Sequence, residues 1–184
     1  MKLNRTTLKK LIREVRRKES MILAESLSAT YDGLMKQLDG EDVGVNTIGV
    51  MSGQYPMAKS NLSPEEEDER AMQLNARLAE LGMNSVKIDG NYENIPEKSN
   101  VIKNPSMEDM ERLCVEFEQQ SFVWGQRDGG VLVYELRVVN HESGGSSMYP
   151  GSKKTSKVMR HEELEGAATN YSELNGLRFA FELF

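Results

Sequence analysis

Apolar residues recur along this chain at two spacings, and the change from one to the other predicts the elements. Ala71, Leu74, Leu78 and Leu81 fall three or four apart, as on one face of a helix. Met107, Met110, Leu113, Cys114 and Phe117 repeat that stripe further along. Each stripe opens on the same signal: Ser63 with Glu66, then Ser106 with Asp109, place an acidic side chain three residues after a capping serine. Pro64 adds the ring favoured at the first helical position, and Gly82 closes the first helix. Short apolar runs at 45–51, 85–89, 99–103 and 121–124 predict strands. Over 131–139, Leu132, Tyr134, Leu136 and Val138 alternate with positions that include Glu135 and Arg137, the pattern of a strand with two distinct faces.

Taken in order, residues 45–125 give β-α-β-β-α-β. That order predicts the α+β class, with a ferredoxin-like (split βαβ) core at 45–139 extended by C-terminal strands. The connection 90–97 is long for a tight hairpin and reads as a shaped loop. In front, 1–44 holds a basic amphipathic helix at 6–18, built on Leu8, Leu11, Ile12 and Val15. A second helix follows, with Leu27, Tyr31, Leu34, Met35 and Leu38 on one side, and a turn-rich linker at 39–44 separates both from the core. Behind the core, 140–184 reads as a flexible Gly/Ser loop, a weakly patterned stretch at 160–175 and a closing strand at 177–184.

Charge divides the chain more sharply than it describes the whole. Residues 1–20 carry eight Lys/Arg against two acidic residues, a net of +6, within a chain of net −6, so residues 21–184 carry −12. An acidic body disfavours nucleic acid as a partner, because phosphate contacts need clustered cations. No stretch approaches the run of about 18 apolar residues that a membrane span requires. Cys114 is the single cysteine, which removes internal disulfides and cysteine-based metal sites and fits a cytoplasmic setting.

Familiar catalytic motifs do not survive inspection. Gly145–Ser152 resembles a phosphate-binding loop only superficially: five residues lie between Gly145 and Gly151 where the motif has four, and Ser152 stands where lysine is needed. His141 and His161 form no His-Glu-x-x-His metal motif, and helix-start electrostatics account for the acidic run at 65–69 without a cation. No metal and no cofactor are implied. The polar residues with chemical promise lie in the loops of the core: Ser52, Glu93, Glu97, Ser99 and Gln120. Were the strands of Ser99 and Trp124 neighbours, a carboxylate, a hydroxyl and an amide would meet at one sheet edge, able to hold a polar ligand or to transfer protons. The alternative is that these side chains cap turns.

Several runs then share an order with a known family. Ser52 with Pro56, Leu62-Ser63-Pro64-Glu65-Glu66, Leu78–Gly82, Glu97-Lys98-Ser99 and Phe117-Glu118-Gln119-Gln120-Ser121-Phe122-Val123-Trp124-Gly125 follow one another in the stretch 48–125. This stretch resembles an uncharacterised bacterial and tailed-phage family known as a domain of unknown function; members often have glycine where Glu118 stands. The resemblance implies a fold and a phage or bacterial origin but no activity. The basic head resembles leaders that direct internal proteins into phage proheads and are cleaved after Leu/Ile-x-Glu, which here would fall after Glu14 or Glu25. The first functional expectation is therefore a non-enzymatic phage accessory protein, in the host cytoplasm or the virion interior. It would meet protein partners through the basic helix or a sheet edge, with no role for a membrane. The second is a small enzyme or polar-ligand-binding domain using Glu97, Ser99 and Gln120.

Overall fold

The computed structural model describes residues 30–54, 62–92, 95–164 and 170–184. The basic helix expected at 6–18, the cleavage positions after Glu14 and Glu25, and Glu93 lie outside them. A helix at 30–38 (α1) is followed by β1 (Thr47–Ser52), α2 (Pro64–Glu80), β2 (Asn84–Tyr92), β3 (Ile95–Lys103), α3 (Met107–Glu116), β4 (Ser121–Asp128) and β5 (Val131–Val139). Short strands β6 (Ser146–Met148) and β7 (Val158–Met159), a 3-10 turn (His161–Glu163), β8 (Tyr171–Leu174) and β9 (Leu177–Phe181) complete the described chain.

Both helix caps form as read. Ser63 accepts the Glu66 amide while Glu66 accepts the Ser63 amide, and Ser106 and Asp109 exchange the same pair of bonds. Gly82, at φ +66°, ends α2 in the left-handed conformation that glycine tolerates best. Glu118 takes the corresponding position after α3 at φ +55°. Its carboxylate lies 3.8 Å from Arg70 Nη1, a half-exposed ion pair.

The fold class needs correction. The strands form one nine-stranded antiparallel sheet in the order β6-β5-β4-β1-β3-β2-β8-β9-β7, curled into a half-barrel, and not a ferredoxin-like α+β core. A two-layer split-βαβ sandwich buries one sheet face; here both faces are buried. On the convex face, α2 and α3 cover Met51, Ile102, Phe122, Trp124 and Val139. On the concave face, α1 and the C-terminal strands enclose Ile48, Val50, Val101, Tyr134, Phe179 and Leu183. The expectation failed because the pairing that extends the sheet is non-local: Asp89 on β2 meets Glu173 on β8, and no local periodicity encodes that meeting. The connection at 90–97 is likewise not a long loop. β2 and β3 continue in register to Tyr92↔Ile95, and Pro96 fits in β3 because it lies beyond Ser99, the last residue paired with β1.

Curling brings distant strands together. The rings of Tyr134 on β5 and Phe181 on β9 lie 4.7 Å apart, although five strands separate them in the sheet. Gly125 permits this, since a side chain there would collide with the Tyr134 ring. The stretch expected to be a flexible loop is instead a strap across the gap. Tyr149 and Thr155 bond to Leu136 and Tyr134 of β5, while Lys153 bonds to Leu183 and Val158 pairs with Phe181 of β9.

Candidate functional site

Strand alternation decides which side chains enter the half-barrel. Val101 faces the concave core, so Ser99 and Glu97, two and four residues earlier on β3, share that face. Val50 does the same for Ser52 on β1, and Ser52 pairs directly with Ser99. Glu97 lies opposite Gly90 of β2, which in turn lies opposite Ser172 of β8. A side chain at Gly90 would come to 3.5 Å from the Glu97 carbonyl oxygen and 3.8 Å from the Ser99 hydroxyl, so the glycine leaves the space beside them open.

These residues border a cavity of about 440 Å³ at the mouth of the half-barrel. Val50, Val123, Leu136, Phe181 and Leu183 supply its apolar wall, and Ser52, Ser99, Ser121, Ser172 and Glu97 its polar groups. Burial pushes the Glu97 carboxyl up from 4.5 to about 7, because a charge there loses hydration. Apart from the Tyr171 phenol, Glu97 is the only ionisable side chain among the described residues lining this cavity.

Four of the five residues singled out in the sequence, Ser52, Glu97, Ser99 and Gln120, line this cavity in different capacities, and Glu93 lies outside the described residues. Ser52 is largely committed: its hydroxyl donates to the Lys98 carbonyl at 3.0 Å and accepts the Gln54 amide at 3.0 Å. Gln54, buried beside it, accepts the Lys98 amide through its side chain. Glu97 and Ser99 project from one strand. Gln120 is exposed at the rim, and the neighbour relation expected for it does not hold, because β1 separates β3 from β4.

Sequence reasoning missed the contribution of β8 and β9. Leu177, Phe179, Phe181 and Leu183 alternate along the last strand and could have signalled an inward face. The histidines are structural contacts: His141 Nε2 lies 2.9 Å from the Gln119 carbonyl, and His161 Nδ1 accepts the Arg178 amide at 3.1 Å. Cys114 lies on the buried face of α3 with its thiol pushed up to about 12, too high for a thiolate nucleophile at neutral pH. Among the described residues no group of three or more His, Cys, Asp or Glu could hold a metal ion. No described helix is long and apolar enough to cross a membrane.

No protein-family model matches the chain, and no curated protein is similar to it. The family resemblance at 48–125 therefore rests on its sequence anchors alone.

Proposed function

We propose that this protein is a binding module that takes a small, largely apolar molecule into the mouth of the half-barrel. The supporting observation is the cavity of about 440 Å³, with a hydrocarbon wall and polar groups contributed by β1, β2, β3, β4 and β8. Its size and lining match those of small-molecule sites, in which burial drives affinity and a few polar groups fix orientation. Binding is favoured over catalysis because Glu97 is the only carboxylate side chain, and no cationic or imidazole side chain joins it, among the described lining residues. The one other titratable side chain among the described lining residues is the Tyr171 phenol, whose ring is covered by the Arg178 guanidinium. Delivery of the protein by a basic leader rests on residues 1–20, independently of this cavity.

Nile red, a neutral apolar dye, tests the reading. Saturable fluorescence enhancement with one site per chain is expected. It should be abolished by Ser99→Trp, which fills the cavity from its wall, while circular dichroism stays unchanged. Absence of enhancement, or enhancement that survives Ser99→Trp in a folded protein, would overturn the proposal.

A further inference from the structure

The cavity also constrains the charge of what it holds. The one carboxylate side chain among its described lining residues, Glu97, sits on the concave face of β3 with the hydroxyl of Ser99 two residues on, and hydrocarbon from Val50, Leu136 and Phe181 completes the wall. No lysine, arginine or histidine lines it among the described residues. Two cations lie close by but are engaged elsewhere: Lys98 points to the opposite face of β3, where its ammonium is 2.5 Å from Asp68 of α2, and the Arg178 guanidinium stacks 4.2 Å from the Tyr171 ring centroid while pairing with Glu173 at 3.3 Å. From this geometry we infer that the ligand is an amphipathic amine, its ammonium bound to the Glu97 carboxylate and its apolar body lying against β5 and β9. This inference rests on the small-molecule reading above and names the chemistry of its ligand.

An ammonium in this position forms a charge-assisted hydrogen bond in a site with little competing water. An anionic ligand would meet an unpaired carboxylate instead, and a neutral alcohol would gain only an ordinary hydrogen bond. Other charged groups border the same end of β3 from outside. Glu67 and Asp68 of α2, Asp89 of β2 and Glu173 of β8 line a groove with Lys98 and Tyr171 on the far side of Glu97. Acidic groups predominate there, so the surrounding field also favours a cation. Because burial holds the free carboxyl near neutrality, docking of a cation drives its proton to the buffer, and binding near pH 7 becomes proton-linked.

Octylamine, octanol and octanoate share one tail and differ in the head, and isothermal titration of each into the full chain at about pH 8 tests the inference. Octylamine is expected to bind at least about tenfold tighter than octanol, and octanoate more weakly than either. In Glu97→Gln the preference for the amine should vanish while octanol binding persists, which also reports that the cavity is intact. At about pH 7, heats measured in buffers of different ionisation enthalpy should reveal proton release with octylamine and not with octanol. Equal binding of amine and alcohol, tighter binding of octanoate, or a preference that survives Glu97→Gln would overturn the inference and leave the small-molecule reading standing. Failure of all three probes to bind would overturn that reading as well.

Discussion

At one end of the curled sheet α1 lies across the strands, and Arg127 binds the backbone of the turns beside it. At the other end Ser99 and Glu97 face a cavity. The guanidinium of Arg127 donates to the carbonyls of Gly40, Asp42, Val45 and Gly130 at 2.7–3.1 Å. Tyr134, fully buried, donates its hydroxyl to the Leu38 carbonyl at 2.6 Å, and Tyr31 donates to the Arg178 carbonyl at 2.8 Å. Tyr134 and Arg127 are spent on carbonyls of the end of α1, the turns after it and the β4–β5 turn, while Tyr31 ties α1 to β9. At the open end a partly buried carboxyl is held at a cost in free energy. The contrast separates the two uses of a buried polar group: one closes the structure, and the other is held ready for something from outside.

The largest effect should come from breaking the closed end. Arg127→Ala leaves four carbonyls without a charged donor and is expected to cost about 3 kcal/mol, read as a lower urea midpoint. The open end should instead reveal itself through pH. The folded state raises the Glu97 pKa from 4.5 to about 7, so it holds a proton that the unfolded chain releases. This contribution is fully present below about pH 4.5 and is lost as pH rises through about 7. The full shift corresponds to about 3 kcal/mol, and solvent screening of this partly exposed carboxyl reduces the expected fall in stability to about 2 kcal/mol across that window. Glu97→Gln should remove this dependence in urea titrations at either side of it, whereas Arg127→Ala should leave it intact. Tyr134→Phe orphans one buried carbonyl and is expected to cost about 1.5 kcal/mol without altering ligand binding. Smallest is Ser52→Ala, at about 1 kcal/mol. It loosens the Ser52–Gln54–Lys98 link beside the cavity, and it should weaken probe binding where Tyr134→Phe does not.

What could be read in advance follows from the range of the interactions. Ser63 with Glu66 and Ser106 with Asp109 act over three residues, and the sequence displays them directly. Glu97 and Ser99 were legible as polar residues at a strand entrance that share one face by strand alternation, but their place beside β8 and β9 was not. Arg127 was not legible: its partners lie as far back as Gly40, and an arginine at a strand end looks like any solvated cation. The class was misread because two strong helices and the strands between them fix element order but not sheet width. The strand that borders β2 on its outer side comes from residues 171–174, in a region whose own pattern is weak.

That late partner has a consequence during synthesis. β2 is complete at Tyr92, but β8 does not begin until Tyr171. At ribosomal rates the outer edge of β2 stays uncovered for on the order of ten seconds. Throughout that interval the nascent chain offers a row of unpaired amides and carbonyls with apolar side chains on the concave face, a template for pairing with another chain. A ribosome-stalled or truncated product ending before Tyr171 should aggregate or recruit a chaperone, and yield of the intact protein would then depend on how quickly translation proceeds from β3 to β8.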